Sequence, residues 1–110
     1  MIVTFQSKAS GDVIMFGDVA HRMMELMGKE VGDQGIVTVA QLPAALASLK
    51  AAIDADREVR KGVHDEDLPQ FETATDGSRR PYVSLSQRAT PLVELLEWSL
   101  KKKVPVLWGV

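Results

Sequence analysis

Apolar and polar positions alternate near both ends of the chain, with the period of two that is typical of β-strands. Near the start this pattern covers residues 2–7 and begins Ile2-Val3-Thr4-Phe5, and near the end it covers Val104-Pro105-Val106-Leu107-Trp108. We predict that both segments belong to one small sheet. The turn-forming run Ala9-Ser10-Gly11-Asp12 is expected to return the first strand as a hairpin through Val13-Ile14-Met15-Phe16.

A helical period of apolar residues follows the hairpin. One interpretation starts this helix at Asp12 and continues it through Gly17 to Met27. A glycine inside a helix costs about 1 kcal/mol relative to alanine, which favours a break at Gly17 instead. The first helix is then expected to begin with Asp18 as its N-cap and to end at Gly28. Its inward positions are Val19, Met23, Leu26 and Met27.

The second helix has the clearest apolar stripe of the chain and is predicted over residues 41–61. Pro43 falls in its first turn, where proline is tolerated because the first backbone N–H groups have no helical acceptor. The preceding run Ile36-Val37-Thr38-Val39 is entirely β-branched and predicts a short third strand. The inward positions of the helix are Leu42, Ala45, Leu46, Leu49, Ala52 and Ile53.

A third helix is predicted to begin with Thr90 as its cap and Pro91 at its first helical position. The lysines at 101–103 end it and complement the negative end of the helix dipole. The run Tyr82-Val83-Ser84-Leu85 is either a fourth short strand or the lead-in to this helix. The inward positions are Leu92, Leu95, Leu96, Ser99 and Leu100.

Residues 62–81 have no sustained apolar period and contain Pro69, Pro81 and the turn sequence Asp76-Gly77-Ser78. We predict a long, flexible loop here. Connections of this length without secondary structure are uncommon in compact domains, and they are often functional or disordered. This segment is therefore the first place in which a binding site is expected.

These elements together predict a single α+β domain over residues 1–110. Its small, mostly antiparallel sheet comes from the N-terminal hairpin and the C-terminal strand, and three helices pack on one face. A chain of 110 residues has room for one domain with one modest core.

The composition excludes several classes of protein. A net charge of −2 argues against a nucleic-acid partner, because neutralising phosphates requires a basic surface. There is no apolar run long enough to span a membrane and no secretory signal, so we predict a cytoplasmic location and no membrane partner. The absence of cysteine fits that compartment and excludes disulfides and thiolate metal sites.

Two clusters contain metal-ligating side chains. In the first, Met15, Met23, Met24 and Met27 lie close in sequence to His21, and thioether and imidazole ligands together suit Cu(I). However, Met23 and Met27 are on the inward stripe of the first helix, where methionine commonly fills gaps in a core. Core packing is therefore the preferred interpretation.

The second cluster is the acidic run His64-Asp65-Glu66-Asp67. Its oxygen atoms suit Ca²⁺ or Mg²⁺, and His64 with Asp65 and Asp67 would suit Zn²⁺. The spacing matches no calcium-binding loop, because the glycine and the bidentate acid of such loops are missing. A solvated acidic loop is preferred, and no cofactor is predicted.

The sequence favours a non-enzymatic protein over an enzyme. General acid–base catalysis needs a titrating side chain in a pocket, and the candidates His21 and His64 cannot be placed relative to one another. No serine lies in the strained turn of a hydrolase nucleophile, and no glycines have the spacing of a phosphate loop. No catalytic residue is assigned.

The tryptophans Trp98 and Trp108 are candidate surface contacts. Trp98 falls off the inward stripe of the third helix, and aromatic residues and arginine are enriched at protein interfaces. Self-association through Trp98 is the leading hypothesis, with Arg79 and Arg80 assigned to the same interaction. In the alternative, Trp98 only covers the edge of the core.

Several runs, in a fixed order, give the chain a family resemblance. They are Met1-Ile2-Val3-Thr4-Phe5-Gln6-Ser7-Lys8, Asp12-Val13-Ile14-Met15-Phe16-Gly17, Leu42-Pro43-Ala44-Ala45-Leu46, Arg88-Ala89-Thr90-Pro91-Leu92 and Val106-Leu107-Trp108-Gly109. The chain resembles a family of small bacterial proteins, the domain of unknown function 1840 family, over nearly its whole length apart from two turn-rich connections. The resemblance implies no activity, substrate or cofactor, and it assigns no role to any residue.

The preferred function is a non-enzymatic cytoplasmic protein-interaction module that associates with itself as a homodimer or with another protein. The alternative is a small enzyme or a ligand- or metal-binding protein that uses the acidic loop 64–67 with Arg79 or Arg80. A pocket in which a histidine and a carboxylate converge would favour the alternative. A flat apolar patch repeated across a twofold axis would favour the interaction module.

Overall fold

The chain has the predicted α+β architecture, with an antiparallel sheet and helices packed on one of its faces. The computed structural model describes residues 2–60, 71–73, 77, 79–81 and 83–109. Along these residues the elements are β1 (Ile2–Ser7), β2 (Ser10–Phe16), α1 (Gly17–Leu26), β3 (Gly35–Val37), α2 (Leu42–Arg60), β4 (Phe71–Thr73), β5 (Arg79–Pro81), α3 (Leu85–Lys102) and β6 (Val106–Trp108).

The main sheet has the strand order β2-β1-β6-β3, and every neighbouring pair is antiparallel. The first and last strands belong to one sheet, as predicted, and they lie side by side in it. The hairpin is also confirmed, although its turn falls at residues 8–9 and β2 already begins at Ser10. The alternative of a helix from Asp12 is wrong, because residues 10–16 are strand.

The core lies between this sheet and the helices, and its strand residues are Val3, Phe5, Met15, Val37, Val106 and Trp108. Trp108 is almost fully buried, so its assignment as a surface contact is wrong. Its Nε1 donates a hydrogen bond to the Gly32 carbonyl oxygen at 3.3 Å, and its ring centroid lies 5.6 Å from that of Phe5. The predicted inward stripes of all three helices are buried or half-buried.

Helix α1 begins one residue before the predicted cap. Phe16 is its N-cap and Gly17 its first residue, so Asp18 lies within the first turn. The earlier start has a local cause, because β2 continues directly into α1 without a turn. Gly17 is the first residue of the helix, so it does not interrupt one. Gly28 ends the helix as predicted, with a φ of +79°. The N–H groups of Gly28 and Lys29 donate to Glu25 and Met24 carbonyls, which are the two hydrogen bonds of a Schellman motif.

Helix α2 is within one residue of its predicted bounds and packs chiefly against α3. Before it, Thr38 and Gln41 exchange hydrogen bonds between side chains and backbone. The Gln41 N–H donates to Thr38 Oγ1 at 3.3 Å, and the Thr38 N–H donates to Gln41 Oε1 at 3.1 Å. This capping box supplies acceptors for backbone donors that the helix leaves free. No helix within the described ranges is long and apolar enough to cross a membrane.

Helix α3 begins six residues earlier than predicted. Ser84 is its N-cap and forms a capping box with Gln87, which leaves Thr90 and Pro91 inside the helix. Buried Leu85 and Ala89 extend the inward stripe towards the N-terminus, so packing holds the helix together in spite of the proline. The run before the helix is a lead-in rather than a strand at residues 83–84.

The stretch predicted as a long loop contains two short strands. Strands β4 and β5 pair antiparallel in a separate two-stranded sheet, with Glu72 opposite Arg80. The prediction of a segment without secondary structure is therefore corrected for these strands. Residues 62–70 lie outside the described residues, so the flexibility predicted for them stays a prediction.

Candidate interaction surface

The two faces of the main sheet differ in what covers them. Because side chains alternate along a strand, the residues between the buried positions point to the face that the helices leave open. On β1 these are Ile2, Thr4 and Gln6, and on β2 they include Ile14 and Phe16. We call this the open face.

Three large apolar side chains form a cluster on the open face. Ile2, Ile14 and Phe16 are 63%, 65% and 52% exposed, the highest values among the large apolar residues of the described chain. The strand register places Ile2 directly opposite Phe16, and it places Thr4 opposite Ile14. Residues in such positions are close enough for their side chains to touch, so the three form one patch, which we call the β1–β2 cluster.

The open face continues more weakly across the sheet. Leu107 on β6 is half-buried and lies opposite Gln6 on one side and Ile36 on the other, and Ile36 is 39% exposed. Sequence reasoning missed this surface. A signal was present in residues 13–16, because four consecutive apolar residues in a strand make both of its faces apolar.

Trp98 is exposed, as its position off the inward stripe predicts. It is 46% exposed, and the Lys101 Nζ lies 5.1 Å from the centre of its ring, within reach of a cation–π contact. Glu97 pairs with Lys50 of α2 at 3.6 Å, so the side of α3 that bears Glu97 faces α2. Trp98 follows about 100° further around the helix and so lies to one side of the surface that meets α2.

A chain of hydroxyl groups fixes α3 against the hairpin. Ser99 Oγ is fully buried and donates to the Leu95 carbonyl oxygen at 2.6 Å. Its hydrogen is thereby used, so Ser7 Oγ is the donor in the 2.7 Å contact between the two serines. Ser7 Oγ in turn accepts from the Ala9 N–H at 3.2 Å. These bonds join the β1–β2 turn to the last turn of the third helix.

The other predicted site residues are placed only in part. Arg79 is exposed at the start of β5, and Arg80 follows it in the same strand with its side chain outside the described part. His64, Asp65 and Asp67, the predicted metal ligands, lie outside the described residues, so that prediction stays untested. Within the described ranges no three histidine or acidic side chains are grouped as metal ligands would be.

The four methionines of the first cluster are all in the hydrophobic core, which confirms the packing interpretation. His21 beside them is half-buried, and its Nε2 is shielded from solvent and has no hydrogen-bond partner among the described residues.

A cleft of about 320 Å³ lies between α2 and α3. Arg57 closes one part of it by donating to Ser86 Oγ at 2.8 Å, and Ile53 and Val93 add apolar surface. Its described lining contains carboxylates and cations but no histidine. The convergence of a histidine with a carboxylate, which would favour an enzyme, is therefore not found in this cleft. The lining residues are Lys50, Ile53, Asp54, Arg57, Ser86, Thr90, Val93, Glu94 and Glu97.

Comparison with known families identifies the chain. Residues 1–108 match the family described as Domain of unknown function (DUF1840), so the chain belongs to that family. Comparisons with curated proteins and with solved structures found no match.

Proposed function

We propose that this member of the domain of unknown function 1840 family is a non-enzymatic protein-interaction module that associates with itself. The observation that supports the proposal is the β1–β2 cluster, in which Ile2, Ile14 and Phe16 are each more than half exposed. The solvated face of an antiparallel sheet normally carries polar residues, and contiguous exposed apolar side chains mark interaction sites. A second copy offers the same patch, and a twofold contact needs only one self-complementary surface.

The size of the cluster sets the expected strength of association. Fully burying such a side chain contributes about 1.5–3 kcal/mol, so burying the exposed part contributes roughly 1–2 kcal/mol. Two copies of the cluster would then supply about 6–12 kcal/mol. Loss of translational and rotational freedom costs about 4–15 kcal/mol. The cluster alone therefore supports a weak dimer, and a tight dimer needs additional contacts.

We place this module in the bacterial cytoplasm, without a nucleic-acid or membrane partner. The absence of cysteine supports a reducing compartment, and the net charge of −2 disfavours binding to phosphates. The bacterial assignment rests on the family resemblance alone.

The test is the molecular mass in solution, measured by light scattering or sedimentation over a wide range of protein concentration. The wild type is expected to approach twice the chain mass of 12.0 kDa as concentration rises. Ile14→Asp places a charge in the cluster and is expected to remain a monomer, because an unpaired charge resists burial. Its circular dichroism should match that of the wild type, since Ile14 is an exposed position.

Val31→Asp is the matched control. Val31 is also an exposed apolar residue, at 44%, but it lies in the connection between α1 and β3. This variant should dimerise like the wild type. A wild type that stays at 12.0 kDa at every concentration, or an Ile14→Asp variant that dimerises normally, would refute the proposal.

A further inference from the structure

Strand β2 is one of the two edges of the main sheet, and its outer side is unpaired among the described strands. It is 7 residues long, whereas β3 at the opposite edge has 3. A free edge presents a row of backbone donors and acceptors that can pair with another strand. The length of β2 makes it the stronger candidate for such pairing.

The C-terminal half of β2, residues 13–16, lacks the devices that usually protect an edge from pairing. Proteins block edges with lysine, with proline, with bulges or by keeping the strand short. Strand β2 has a bulge near Gly11 and Asp12, where three residue steps on β2 match two on β1, but residues 13–16 pair regularly with β1 and contain no charge and no proline. Strand β3, in contrast, is protected by its shortness.

We propose that two copies of the chain pair antiparallel along β2, so that their sheets continue into one sheet of eight strands. This inference rests on the proposed self-association and specifies its geometry. A strand paired antiparallel with its own copy has a twofold axis across the pair, as a closed homodimer requires. The axis passes near Ile14 and Met15, the middle of the regular segment 13–16. The β1–β2 clusters of the two copies then adjoin each other on the same open face.

The helical side of the sheet supplies the additional contact that a tight dimer needs. Helix α3 contacts β2 more extensively than α1 does, so α3 is the helix that runs along this edge. Glu97 of α3 faces α2, and Trp98, about 100° further around the helix, lies on the side that the paired dimer turns towards the second copy. Pairing of the β2 edges brings the two α3 helices together and covers Trp98. The edge-paired dimer thus uses two exposed aromatic residues, Phe16 on one face and Trp98 on the other.

The competing geometry is a dimer in which two open faces stack on each other. A substitution at Trp98 distinguishes this geometry from edge pairing. The helices lie on the opposite side of the sheet from the β1–β2 cluster, so a face-to-face dimer leaves Trp98 in solvent. Edge pairing predicts that Trp98→Asp weakens dimerisation at least about tenfold, as Ile14→Asp does. Face stacking predicts that only Ile14→Asp does so, with Val31→Asp as the neutral control in both cases.

Amide hydrogen exchange measured by NMR provides the second readout. In the wild-type dimer, the β2 amides that point away from β1 should exchange at least about tenfold more slowly than in monomeric Ile14→Asp. The outward amides of β3 serve as the internal control and should exchange equally in both proteins. Edge pairing protects only β2, because β3 lies at the far end of the eight-stranded sheet.

The outcomes distinguish the inference from the proposal on which it rests. A dimer with protected β2 amides and a weakened Trp98→Asp variant supports edge pairing. A dimer whose β2 amides exchange as in the monomer, or one in which Trp98→Asp has wild-type affinity, overturns edge pairing while self-association stands. A wild type that is monomeric at all concentrations overturns both.

Discussion

The two faces of the main sheet are built from the same strands and similar residues, yet they end in opposite environments. On β1 and β2 the inner side chains Val3, Phe5 and Met15 are at most 8% exposed. The outer side chains Ile2, Ile14 and Phe16 are at least 52% exposed. Both sets are apolar, so hydrophobicity does not distinguish the faces. What distinguishes them is that the helices cover one and leave the other open.

The difference shows where apolar residues serve folding and where they serve something else. On the inner face, Trp108 has specific partners. Its Nε1 donates a hydrogen bond to the Gly32 carbonyl oxygen, and its ring lies against that of Phe5. On the outer face, the apolar side chains retain most of their exposure and so contribute little to the stability of a single chain. We attribute them to association.

The largest expected contrast between the faces is in the loss of an aromatic ring. Trp108→Ala should lower the free energy of unfolding by about 3–5 kcal/mol, because it leaves a cavity in the core. Phe16→Ala, its counterpart on the open face, should cost less than about 1 kcal/mol in the monomer. Urea denaturation at low protein concentration measures both values.

Equal losses in the two variants would erase the distinction between the faces. The same urea denaturation repeated at high protein concentration sharpens the comparison. Phe16→Ala should then lose more stability relative to the wild type, because it also weakens the dimer. The loss caused by Trp108→Ala should stay nearly the same at both concentrations.

Glycines on the two edge strands give a second matched pair. A Cβ added at Gly35 on β3 would overlap the Trp108 ring, whereas one added at Gly11 on β2 would meet nothing within 4 Å. Gly35→Ala should therefore destabilise the chain by about 1–3 kcal/mol or more through overpacking. Gly11→Ala should be neutral or stabilise by up to about 1 kcal/mol, since alanine restricts the unfolded chain.

Thermal unfolding compares the two variants directly. If the Gly35→Ala and Gly11→Ala proteins unfolded at the same temperature, the inner face of the sheet would have to accommodate an extra methyl group, contrary to its close packing around Trp108.

Much of the fold was predictable because it depends on periodic signals. The inward stripes of the helices, the hairpin, the presence of both terminal strands in one sheet and the exposure of Trp98 all follow from spacing along the chain. The start of α3 was not, because two local signals compete there. Ser84 with Gln87 and Thr90 with Pro91 both resemble helix starts, and burial of Leu85 and Ala89 decides between them.

The candidate surface was less predictable, for a physical reason. Residues 13–16 indicate a strand that is apolar on both faces, but which face the helices cover depends on contacts between distant parts of the chain. The metal site predicted at 64–67 and the interaction role predicted for Arg80 stay predictions.

The smallest expected effect concerns the polar contact that ties the helices to the inner face. Ser99→Ala removes the acceptor for the Ser7 hydroxyl and should lower the free energy of unfolding by about 1 kcal/mol. The control is Ser48→Ala, at an exposed position of α2, which should change stability by less than about 0.5 kcal/mol and in the stabilising direction, because alanine favours helices. Chemical denaturation resolves this difference. Equal stabilities would mean that apolar packing alone fixes α3 on the hairpin, and the buried hydroxyl chain would then have no part in distinguishing the covered face from the open one.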